Sequence, residues 1–136
     1  MACLDTNVLI DLTGRGGRAR HEAASALVRE LRAEGRTLAT TRLNVAELYV
    51  GVERSTDRDS EERRVETVLG GLIVPEFDDT AARQFAMIDA YLSERGRPVG
   101  DMDALIAAVT IVHGRALVTL NVRHFEPIPG LRIQSY

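Results

Sequence analysis

The chain has 136 residues, a net charge of −3 and one cysteine. That length fits a single domain over residues 1–136 with a core of its own, and a lone Cys3 excludes an internal disulfide and a multi-thiolate zinc site. The mild negative charge does not advertise nucleic-acid binding; all 17 basic residues are Arg, and three Tyr, three Phe and no Trp leave no aromatic platform for stacked bases.

In chain order, Met1–Leu4 reads as a short buried strand ending in Asp5. It is too short for a leader, and no apolar run approaches the roughly 18 residues of a membrane span, so a soluble cytoplasmic protein is expected. Residues 6–12 change to helical spacing, with Thr6 or Asn7 as the cap. Residues 14–20 form a Gly/Arg loop without the Lys-Ser/Thr ending of a phosphate loop, hence a basic edge or a solvated linker. Ala24, Leu27, Val28 and Leu31 repeat at helical spacing over 21–34, and Gly35 closes that helix. Residues 37–40 are a second strand.

Residues 42–53 are a third helix with Leu43, Ala46, Leu48 and Val50 as its apolar positions. Glu47 lies on or beside that face. A buried Glu costs several kcal/mol, roughly, unless paired, protonated or metal-bound; a rotated helix would take it to solvent. A charged helix over 58–68 follows, capped by Ser55, Thr56 or Asp57. Residues 72–75 read as a third strand with Pro75 at its end. Asp78 or Asp79 caps a long helix reaching Glu94. After the Pro98–Gly100 loop, Asp101 stands as an N-cap and Asp103 in the first turn of a helix whose residues 104–112 are apolar except Thr110. Capping and the helix dipole account for Asp101 but poorly for Asp103, which precedes a buried run. Gly114 ends the helix. Residues 116–119 are a fourth strand, 120–125 a loop and short turn, and 131–133 a last edge strand.

Strands separated by helices imply a parallel sheet with right-handed crossovers and helices on both faces. Asp5, Thr40-Thr41 and the 119–121 segment then meet at the carboxyl edge, where open α/β sheets bind ligands, with Glu47 and Asp103 on bordering helices. The three histidines are scattered, and no Ser-His-Asp or Cys-His pattern is present. What remains is a carboxylate set, Asp5, Glu47, Asp101 and Asp103, with Asn7 and Asn121 as neutral oxygen donors. Crowded carboxylates need a countercharge. Mg²⁺ or Mn²⁺ prefers such oxygen ligands, and can activate water and stabilise phosphoryl displacement.

Four segments carry a resemblance: Asp5-Thr6-Asn7 after the first strand, Val45-Ala46-Glu47-Leu48-Tyr49-Val50-Gly51, the stretch Arg97–Ala108 with Asp101-Met102-Asp103, and Leu117–Phe125 with Thr119-Leu120-Asn121. In this order and spacing the chain resembles PIN domains, and most of all VapC-type toxins of toxin–antitoxin pairs. The resemblance implies a three-layer α/β/α fold around a roughly five-stranded parallel sheet. It implies an Mg²⁺- or Mn²⁺-dependent endoribonuclease that hydrolyses structured RNA (transfer or ribosomal), leaving 5′-phosphate and 3′-hydroxyl. It also implies a homodimer, expected over residues 42–70 with Leu48, Tyr49 and Val52, and a cognate VapB-type antitoxin. Residue by residue, Asp5, Glu47 and Asp103 match the family's first three acids and would hold the metal. Asn121 stands at the fourth position, where a neutral donor weakens a second metal site. Asp101 is additional, as catalytic acid or cap; Asn7 and Thr41 support. The alternative is a catalytically silent PIN-like module that binds RNA or protein.

Overall fold

A computed structural model describes all residues, 1–136. The elements in order are β1 (Ala2–Leu4), α1 (Thr6–Thr13), α2 (Arg18–Ala33), β2 (Leu38–Ala39), α3 (Arg42–Glu53), α4 (Arg58–Leu69), α5 (Asp79–Glu94), α6 (Asp101–Val112), β3 (Ala116–Val118), α7 (Val122–Phe125) and β4 (Arg132–Gln134). The sheet order is β2-β1-β3-β4 and every pairing is parallel.

Successive side chains of a strand face opposite ways, and the core divides accordingly. Ala2, Leu4 and Val118 point into a cluster with Val8, Leu9, Leu27, Leu31, Leu48, Val52 and Val65, beneath α1 to α4. Cys3 and Leu117 point into another with Ile88, Leu92, Ile106, Ala107 and Phe125, beneath α5 to α7. The result is the expected α/β/α sandwich. No helix is long and apolar enough to cross a membrane.

Several expectations change in detail. The strand expected at 72–75 shrinks to one parallel bridge, Ala39 with Ile73. Ile73 donates to Leu38 and accepts from Thr40, but Pro75 has no N–H with which to continue the ladder. The named sheet is therefore four-stranded, not five. Helix α3 keeps part of its expected face: Leu48 is buried and Leu43 packs half-buried on the core, but Ala46 and Val50 are exposed with Tyr49, while Asn44, Val45 and Val52 are buried. Leu48 and Val52 thus belong to the chain's own core and are not free for a dimer contact. Asp101 is not an N-cap. Gly100 occupies that position and Asp101 is the first helical residue, with no side-chain cap bond. At the other end of α6, Gly114 (φ 62) is left-handed, with its N–H on the Ile111 carbonyl and that of Arg115 on Thr110, the hydrogen-bond pattern of a Schellman stop.

A carboxylate cleft at the carboxyl edge of the sheet

Asp5 leaves the end of β1 and stands at the N-cap position of α1, yet its carboxylate caps nothing. It is 4% exposed and is held from three directions. Asn44 Nδ2 donates to Oδ1 at 3.0 Å; Asn7 Nδ2 and Thr119 Oγ1 donate to Oδ2 at 3.0 and 2.7 Å. A buried charge is tolerable only when so satisfied. The Asn7 amide oxygen accepts from the Leu120 N–H at 3.1 Å, so Asn7 ties Asp5 to the loop after β3.

Thr41 caps α3 in a capping box with Asn44. Its hydroxyl accepts from the Asn44 N–H at 3.1 Å and donates to Asn44 Oδ1 at 2.6 Å. That fixes the Asn44 amide, whose Nδ2 donates to Thr6 Oγ1 at 2.9 Å as well as to Asp5. The Thr6 hydroxyl in turn donates to Glu47 Oε2. Thr41 therefore orients two acids through one buried amide without lining the cleft itself.

Asp103, the third residue of α6, is half-buried, with His124 Nδ1 at 3.5 Å from its Oδ2. Asn121 stands where the chain turns from β3 into α7, its N–H held by Thr119 Oγ1 at 3.0 Å. Asp5, Thr6, Asn7, Ile10, Glu47, Asp103 and Asn121 together line a cleft of about 240 Å³. Asp101 is not among them: it faces a separate cavity with Asp89, Ser93 and Arg97.

No Arg lines the cleft, and its electrostatics follow. Burial raises the Glu47 carboxyl above its ordinary value; the Thr6 hydrogen bond opposes this, and the charges of Asp5 and Asp103 add to it. Burial also raises Asp103, reinforced by Asp5 and opposed by His124. Carboxylates that resist joint ionisation, with amide oxygens beside them, are the donor set of a hard divalent cation. The donor chemistry fits, although no three His, Cys, Asp or Glu side chains close on one point as a ready-made metal cage.

Sequence reasoning did not single out Asn44 or Thr6 as site residues, and set His124 aside as scattered. The Thr41-x-x-Asn44 spacing was the available signal, because a polar residue at the third helical position marks a capping box. Nothing local announces His124, which reaches Asp103 across 21 positions of sequence.

The chain matches the PIN domain family model over residues 2–130. It is 36% identical over 94 residues to the tRNA(fMet)-specific endonuclease VapC of Salmonella typhimurium, covering 69% of this chain and 71% of that one. It is 32% identical over 133 residues to ribonuclease VapC19 of Mycobacterium tuberculosis, covering 97% and 98%. The structure of DNA-bound VapBC from Salmonella typhimurium superposes with a TM-score of 0.85 at 30% identity, covering 98% of this chain and 96% of that one. The acid-bearing cleft at the sheet's carboxyl edge sits on a chain that belongs to the PIN domain family, among the VapC ribonucleases.

Proposed function

We propose that this protein is an endoribonuclease, the toxic component of a toxin–antitoxin module, that hydrolyses phosphodiester bonds of structured RNA in the cytoplasm. One observation carries the reading: Asp5, Glu47 and Asp103, from three distant parts of the chain, line one cleft with no basic side chain among them. Mg²⁺ or Mn²⁺, held by Asp5, Asp103 and Glu47, would supply the countercharge and an activated water. The chain's residues do the rest. Asn44, Asn7 and Thr119 fix the Asp5 carboxylate; Thr6 orients Glu47; Asn121 offers a neutral oxygen at the rim. The positive ends of α1 and α6 lie beside the cleft and favour bound anionic groups.

The partner is a VapB-type antitoxin, as in the solved VapBC relative. A homodimer is expected as well, since Tyr49 and Val50 remain exposed on α3; light scattering at micromolar concentration reads this, and a monomer refutes it. The intact carboxylate set gives no support to a silent module. Transfer RNA is the first substrate to try, because the Salmonella relative is named for it. Purified protein incubated with total transfer RNA should yield discrete fragments with 5′-phosphate ends, abolished by EDTA. Absence of cleavage with either metal across transfer and ribosomal RNA would sink the reading.

A further inference from the structure

On the other side of Asp103 lies a second concavity of about 340 Å³, walled by Pro98, Gly100, Arg123, His124 and Pro127. Asp103 lines both, so the two meet at that side chain. Their chemistry is opposite. The first holds three carboxylates and no Arg. The second holds Arg123 and His124, and its one acid is Asp103, whose Oδ2 already faces His124. Arg123 is exposed on α7 and makes no ion pair or hydrogen bond within the chain, unlike Arg15, Arg58 or Arg83, each of which pairs with a carboxylate. Gly100 leaves the backbone open at the rim: a Cβ there would meet nothing within 4 Å. The first-turn amides of α6 just beyond it have no side-chain cap and add positive potential. No Phe, Tyr or Trp lines the concavity, so it offers a base no stacking surface.

We propose that this concavity is a phosphate subsite for the RNA backbone, taking the phosphate next to the one at the carboxylates, with Arg123 as its charged contact. This rests on the ribonuclease reading above. An acidic cleft repels a polyanion, so binding energy for the strand has to come from cations beside it. Arg123 is an unpaired cation bordering the concavity that shares Asp103 with the cleft, and its planar fork suits phosphate oxygens.

The test uses a fluorescein-labelled single-stranded RNA oligonucleotide, anisotropy in EDTA at low salt, and a NaCl titration. Arg123→Ala should weaken binding about tenfold, as expected for losing one charged hydrogen-bonding contact. It should reduce the slope of log K against log salt by about 0.7, one phosphate contact on a single strand. Arg123→Lys should keep the slope. Arg29→Ala, which removes the same charge from the exposed face of α2, should change affinity less than about twofold. In Mg²⁺, Arg123→Ala should raise KM while leaving kcat near the parent value. An Arg123→Ala protein with the parent's affinity, slope and KM overturns the subsite, including the case in which it loses affinity for an antitoxin instead. A parent that binds RNA but cleaves none with Mg²⁺ or Mn²⁺ refutes the ribonuclease reading, whereas a cleaving parent with an unaltered Arg123→Ala variant refutes the subsite alone.

Discussion

At the scale of single residues, the site is a set of acids held in place by neutral donors. Asn44 is the most connected of these, bonded at once to Thr41, Asp5 and Thr6. Removing it leaves a buried carboxylate short of a donor. Asn44→Ala should therefore cost about 2–3 kcal/mol in urea denaturation and weaken Mn²⁺ binding by about ten- to a hundredfold in calorimetry. Glu47 and Asp103, whose carboxyls burial raises, oppose the fold when ionised. Asp103 has a folded-state pKa above its ordinary 3.8, so between those values the native state binds more protons than the unfolded one. Stability of the metal-free protein then falls as pH rises through that window and stays lower at neutral pH. Asp103→Asn lifts this penalty. In EDTA at pH 7 it should be more stable than the parent. The difference should shrink as the pH is lowered towards 4, and RNA cleavage should be lost. A less stable variant at pH 7 would contradict the assignment. The three acids stood out at a strand end, on or beside an apolar helix face and at the mouth of a buried helix, but it was the family resemblance that separated them from capping and solvent-facing acids. Of their donors, Asn7, two positions from Asp5, was legible as well; the bonds from Asn44 and Thr119 were not, because these stand 39 and 114 positions away and only tertiary closure joins them.

At the scale of elements, α6 separates two acids that the sequence places side by side. Residues two apart on a helix point about 200° apart. Asp103 therefore enters the cleft while Asp101 faces the cavity beside α5. Asp101→Ser should leave cleavage within about twofold of the parent and stability within about 0.5 kcal/mol, the usual scale for exposed substitutions. Loss of activity would show that Asp101 takes part. The Gly/Arg loop between α1 and α2, read as a basic edge or a solvated linker, is exposed along its length, but one of its glycines packs on a buried acid. Asp11 is buried, accepts from the Tyr136 hydroxyl at 3.0 Å, and packs where a Cβ on Gly16 would strike its carboxylate. Gly16→Ala should destabilise by about 1–3 kcal/mol through overpacking, seen as a lower melting temperature. The inward face of α3 was only partly legible: Leu48 was expected inside and is, but Ala46 and Val50 make as good apolar positions on paper as Val45 and Val52, which are the buried ones. On the inward face Asn44, a polar residue, is held by its bonds to Asp5 and Thr6.

At the scale of the whole molecule, the three-layer architecture followed from alternating strand and helix signals, and the parallel order β2-β1-β3-β4 agrees with it. The loss of the fifth strand to a single bridge at Ile73 was not foreseen, because Pro75 fits a strand end as well as it stops a ladder. The proposed function rests on the convergence of distant acids at one sheet edge, and Asp5 is the residue through which that convergence is most directly probed. Asp5→Asn keeps the shape and removes the charge. The measurement is cleavage of labelled transfer RNA by EDTA-stripped protein as Mg²⁺ is added back, parent beside Asp5→Asn, with matching circular dichroism spectra. The parent should be silent without metal and active with it, and Asp5→Asn should be slower by more than about a hundredfold at every Mg²⁺ concentration. An Asp5→Asn protein that cleaves at the parent's rate would contradict the account.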